Sequence, residues 1–134
     1  MLLEHEVTPY LQLAILLAKS DGVVDGSETE FIDNARISFG LTENEVKDVE
    51  QTLNQGGCVS EISKMIKNPN SQLYVIRELA TLAFADGIYS ESEKEFLTEV
   101  ATAFESNADF LEQCILWVQD GIAWQLRGMK LINQ

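Results

Sequence analysis

The chain is poor in the residues that most often carry enzyme chemistry. It has one histidine, His5, placed before the first helical segment, and no serine or cysteine in a recognisable nucleophile setting. His5 is expected as an exposed terminal residue. The two cysteines, Cys58 and Cys114, are far apart and form no CxxC pair, which fits reduced thiols in small core positions of a cytosolic protein better than a disulfide framework. Positive charge is also scarce. With 9 Lys and Arg against 22 Asp and Glu the net charge is −13, spread over the whole length. Such a polyanion repels phosphate backbones, anionic lipid headgroups and inorganic oxyanions, which excludes nucleic acid as a partner and favours cations and basic proteins.

Long apolar runs are missing too. Leu13 to Ala18 is among the longest, far short of the roughly 20 residues that cross a bilayer, so no membrane insertion is expected. Met1-Leu2-Leu3 gives way at once to Glu4 and Glu6 without a basic n-region, so no signal peptide is expected and the location is read as cytoplasmic. No Pro/Ser-rich linker divides the chain. At 134 residues and 46% hydrophobic, residues 1–134 are read as a single domain with a real core.

What the sequence does have is a passage that occurs twice. Leu17-Ala18-Lys19-Ser20-Asp21-Gly22-Val23-Val24-Asp25-Gly26-Ser27-Glu28 returns 65 residues later as Leu82-Ala83-Phe84-Ala85-Asp86-Gly87-Ile88-Tyr89-Ser90-Glu91-Ser92-Glu93. The correspondence continues through Glu30/Glu95, Phe31/Phe96, Ile32/Leu97 and Phe39/Phe104. The repeated unit is a helix, an acidic turn and a second helix, with one copy over about 8–40 and the other over about 72–105.

Helical spacing governs the rest. Leu11, Ile15 and Ala18, flanked by Leu13, Leu16 and Leu17, form a broad stripe opened by Thr8-Pro9 and closed at Asp21-Gly22. Asp25-Gly26-Ser27-Glu28 has capping-box chemistry, and Phe31, Ile32, Ala35 and Phe39 follow on one face until Gly40. Thr42-Glu43-Asn44-Glu45 opens a third helix carrying Val46, Val49 and Leu53 inward, broken at Gly56-Gly57. Val59, Ile62 and Ile66 predict a short fourth helix stopped by Asn68-Pro69, and a fifth begins at Gln72 with Val75, Ile76, Leu79, Leu82 and Ala83 inward. Ser90 to Phe104 is the second copy of the capped helix. No stretch alternates in polarity as a strand would. The prediction is an all-α, compact bundle of about seven helices built on the duplicated hairpin.

The C-terminal segment, 107–134, carries two adjacent apolar stripes, Phe110/Cys114/Trp117/Gly121/Trp124/Gly128/Leu131 and Leu111/Ile115/Val118/Ile122/Met129/Ile132. Trp117 and Trp124 are favoured as core residues of a central helix, with a partner-binding or homodimer face as the alternative. Glu43, Glu45, Asp48 and Glu50 read first as a solvated helix face and second as a docking strip for a basic partner.

The acidic turns admit two readings. Asp21, Asp25 and Glu28, with Asp86, Glu91 and Glu93 in the second copy, supply hard oxygen ligands suited to Ca²⁺ or Mg²⁺. The loop is not an EF-hand, because aligning Gly22 with the invariant glycine places Leu17 and Lys19, or Leu82 and Phe84, at the first and third ligand positions. Capping accounts for much of the same pattern: Asp25 and Ser90 are natural N-caps and Glu28 and Glu93 their N3 partners. Asp21 and Asp86 are less well explained, since a carboxylate at a helix C-terminus opposes the macrodipole. Each either accepts amide hydrogen bonds from the next helix, the favoured reading, or is neutralised by a shared cation.

The duplicated Ala-x-x-Asp-Gly turn with a glutamate six residues beyond the glycine, Ala18 to Glu28 and Ala83 to Glu93, resembles the tellurite-resistance TerB family over about residues 8 to 105. The resemblance implies an all-helical domain, found alone or attached to other modules such as membrane-anchored DnaJ-like co-chaperones, and linked to tellurite and other chemical or phage stress. It also implies divalent-cation binding by the acidic loops, carried here by Asp21, Asp25, Glu28, Asp86 and Glu93, with Ser90 standing where the first copy has Asp25. No J-domain signature is present, and direct capture of tellurite, an anion, is opposed by the charge of −13. The expectation is a non-enzymatic stress module requiring no cofactor. The alternatives are a metal-free adapter that uses the acidic surface or the tryptophans toward a basic or membrane-associated protein, and, least favoured, a metal-dependent hydrolase.

Overall fold

Leu11, Leu13, Ile15 and Leu17 are almost wholly enclosed, because the first long helix, α1 (Val7–Lys19), has apolar side chains around most of its circumference and neighbours on several sides. A computed structural model describes residues 2–20, 27–84, 89–106 and 108–133. After a 3-10 turn at Glu4–Glu6, α1 is followed by α2 (Ser27–Phe39), α3 (Glu43–Gln55), α4 (Val59–Ser63), α5 (Pro69–Ala83), α6 (Glu91–Ala103) and α7 (Ala108–Ile132). The described residues thus form seven α-helices and no strand, as the periodicity predicts.

The core is built on α1 and α5. Val75, Ile76, Leu79, Ala80 and Ala83 line the inner face of α5 and are essentially inaccessible. α1 packs against α3, α4 and α5, while α7 packs on α5 and α6. α2 lies chiefly against α1 and α3. The sequences of the repeated passages occupy α1–α2 and α5–α6.

Punctuation follows the predicted chemistry where the caps are described. Thr42 Oγ1 accepts from the Glu45 amide at 3.2 Å while the Glu45 carboxylate accepts from the Thr42 amide at 3.0 Å, a reciprocal pair that satisfies two orphan donors. Gly40 ends α2 with φ of 64°, in the left-handed region that glycine enters without a Cβ penalty.

Three expectations are corrected. α5 begins at Pro69, not Gln72, because Asn68 is an N-cap whose Oδ1 accepts from the Asn70 and Ser71 amides; proline at N1 loses only a donor that would be unpaired anyway. Cys58 is exposed at the start of α4, while Cys114 is buried and its thiol pKa is pushed up by that burial. Among the expected inward residues, Ala18 and Phe39 are exposed. Ala18 is exposed on α1, and the main neighbours of α2, α1 and α3, leave Phe39 uncovered.

Candidate functional site

Of the residues singled out as cation ligands, Asp21, Asp25 and Asp86 and the side chain of Glu28 lie outside the described residues. Glu93 is described, and its place follows from its sequence position at N3 of α6. Ser90 Oγ accepts from the Glu93 amide at 3.2 Å, and Glu93 Oε1 accepts from both the Ser90 amide and the Ser90 hydroxyl at 3.0 Å. The residue is only 8% exposed, and these bonds engage Oε1 in the cap of α6. Glu91, at the first position of α6, is exposed.

The surroundings of Glu93 are acidic. Tyr89 stacks on Phe84 with ring centroids 4.6 Å apart, and its hydroxyl pKa is pushed up to about 12 by burial and then by the charges of Glu93, Glu91 and Glu112. Three carboxylates from α6 and α7 thus act on Tyr89, which follows the second Asp-Gly pair by two residues in sequence. Among the described residues, no group of three His, Cys, Asp or Glu side chains is arranged to hold a metal ion.

The predicted docking strip on α3 divides in two. Glu43 is exposed, whereas Glu45 is engaged by Thr42 and also accepts from Thr8 Oγ1 at 3.2 Å, which ties α3 to α1. Those hydrogen bonds, led by the Thr42 amide, hold the Glu45 carboxyl below its ordinary value.

The tryptophans stand outside the core, against the favoured expectation. Leu111, Cys114 and Val118 are the residues through which α7 enters the core, and Trp117 and Trp124 are 56% and 69% exposed. The buried residues come from both predicted stripes, Cys114 from the first and Leu111 and Val118 from the second, whereas Trp117 and Trp124 of the first stripe lie outside the buried face. The Arg77 guanidinium of α5 lies over the Trp117 ring at 5.8 Å and over Tyr74 at 5.4 Å, and pairs with Glu78 at 3.1 Å. A groove of about 790 Å³ runs beside the two indoles, floored by Phe84, Val118 and Ile122 and edged by Asp120 and Arg127.

One feature escaped the motif reading. Glu6 is fully buried, and its Oε1 accepts from Ser71 Oγ at 2.6 Å and from the Leu3 amide at 2.8 Å. Burial alone would raise its pKa, but the Ser71 hydroxyl, backbone amides and nearby His5 outweigh it and the carboxyl sits below its ordinary value. Glu6 and Ser71 are 65 residues apart, the same offset as the repeated passages. Extending that alignment backward would have paired them.

No helix among the described residues is long and apolar enough to cross a membrane. Neither a curated protein nor a solved structure matches the chain. The family model described as tellurite resistance protein TerB matches residues 11–113, from the first turns of α1 to the first turns of α7. With more than half of its length matched, including both Asp-Gly turns, the chain belongs to the TerB family.

Proposed function

We propose that this protein is a non-enzymatic, cytoplasmic stress-response module of the tellurite or chemical-stress type, which binds a divalent cation, Ca²⁺ or Mg²⁺, through its repeated Asp-Gly turns. The observation that carries the reading is the family match over residues 11–113, which spans both turns. Asp21, Asp25 and Glu28 supply the fuller ligand set, and Asp86 with Glu93 the smaller one, since Ser90 replaces the second aspartate. The acidic field at Tyr89 supports a cation beside the second turn. Support for treating the turns as a pair comes from α1 and α5. Glu6 meets Ser71 and Tyr10 meets Tyr74 with ring centroids at 6.4 Å, so the two helices run in the same sense over their first turns.

A second reading is favoured by the exposed Trp117 and Trp124: an adapter that recognises a protein partner through α7 without metal. Complementation separates the two. A host lacking the gene is challenged with tellurite and rescued with the wild type, with Asp21→Asn/Asp86→Asn, or with Trp117→Ala/Trp124→Ala. The cation reading predicts that the aspartate variant fails while the tryptophan variant rescues. The reverse pattern would establish the adapter, and rescue by both variants would contradict both readings.

A further inference from the structure

α7 changes character along its length. Its first turns enter the core through Leu111, Cys114 and Val118, but from Gly121 to Asn133 no described side chain is buried. Over that exposed stretch the apolar residues do not cease. Leu116, Trp117, Trp124, Leu126, Met129, Leu131 and Ile132 are all more than half exposed, and at about 100° per residue Leu116, Trp117, Trp124 and Leu131 share one face of the helix while Leu126 and Met129 lie on the other side.

The charges on the same stretch say what covers it. Residues 121–134 hold Arg127 and Lys130 and no acidic residue, so all 22 acidic residues fall within the first 120. The distal arm of α7 is therefore cationic on an otherwise strongly acidic chain, and its natural electrostatic complement is the body of another copy. The arm is also self-complementary in detail. Asp120 and Arg127 are seven residues apart, within about 20° of each other around the helix, and neither has an ion-pair partner among the described residues. They lie beside the tryptophan row, where Gly121 and Gly128 have nothing within 4 Å of an added Cβ and leave room for a second helix.

We propose that the distal half of α7 pairs antiparallel with the same segment of a second copy of this chain. With the twofold axis passing between Ala123 and Trp124, Asp120 of each copy meets Arg127 of the other, and Trp117 meets Lys130. The overlap from Trp117 to Ile132 is about 24 Å of helix, and covering both tryptophans with Leu116 and Leu131 on each copy removes roughly 1,000 Å², the size at which a specific interface holds. An anionic lipid surface fits less well, because it would attract two cations and repel the rest of the chain.

The pairing does not depend on cation binding at the turns, so a monomer that binds cations would overturn it and leave the proposed function intact. The test is sedimentation equilibrium of the full chain, with far-UV circular dichroism as the check on folding. The wild type is expected at twice the 15.0 kDa chain mass, and Trp124→Glu and Arg127→Glu at the chain mass with unchanged helicity. Asp120→Arg combined with Arg127→Glu swaps the charges and should restore the dimer; this arm also carries the test should Trp124→Glu lose helicity. A monomeric wild type would overturn the proposal, whether or not it co-sediments with phosphatidylglycerol vesicles. So would a charge swap that fails to restore the association lost in Arg127→Glu.

Discussion

Phe39 and Phe104 hold the same place in the two copies of the repeated passage, yet Phe39 is 45% exposed and Phe104 only 7%. The same contrast separates Phe31, half-buried, from Phe96, buried. The phenylalanines are matched in sequence, but their neighbours differ: α6 packs against α4, α5 and α7, while α2 packs chiefly against α1 and α3. Matched phenylalanines therefore reach unequal burial. A helix face becomes core only where another element arrives to cover it.

The largest effect that sharpens this comparison is on stability. Phe104→Ala should cost about 3–5 kcal/mol by loss of burial and creation of a cavity, and Phe39→Ala less than about 1 kcal/mol, both read from urea unfolding midpoints at constant m. Similar losses at the two positions would mean that α2 is covered in solution as α6 is.

A smaller effect is expected where the first turns of the two copies meet, at Glu6 and Ser71. Ser71→Ala should destabilise by about 1–3 kcal/mol, because it leaves a buried carboxylate with one donor fewer. The sign of the accompanying pH dependence follows from the lowered pKa of Glu6. Its folded-state value lies below the ordinary 4.5, so its stabilising contribution is present above about that pH and is lost as pH falls through the folded value. Thermal unfolding across the acid range should therefore show a shallower decline in Ser71→Ala than in the wild type. An unchanged slope would remove Glu6 from the account of acid sensitivity.

Much of the fold was legible in sequence because its signals are local. Thr42 with Glu45 and Ser90 with Glu93 are capping boxes that a four-residue window reveals, and Gly40 stops α2 by its own backbone freedom. Pro69 was misleading for the same local reason: it reads as a helix stop, whereas α4 already ends at Ser63 and the Asn68 cap makes Pro69 the first residue of α5. What could not be read was coverage. Cys114 and Trp117 stand one helical turn apart on the same predicted stripe of α7, and that Cys114 is buried while Trp117 is exposed depends on where α5 and α6 lie. Of the candidate ligands, Glu93 was legible as the capping partner of Ser90, since that spacing is a sequence property.

The two turns differ in one ligand, Asp25 against Ser90, and the measurement that tests the central claim most directly compares them. Chelator-treated protein is titrated calorimetrically with Ca²⁺, Mg²⁺ and Mn²⁺, for the wild type, Asp21→Asn, Asp86→Asn and the double variant. The account predicts saturable binding at or below about millimolar, weakened more by Asp21→Asn than by Asp86→Asn and abolished in the double variant. Absence of binding heat in the wild type, with no cation-dependent rise in Tm, would contradict it and leave the acidic turns as helix caps.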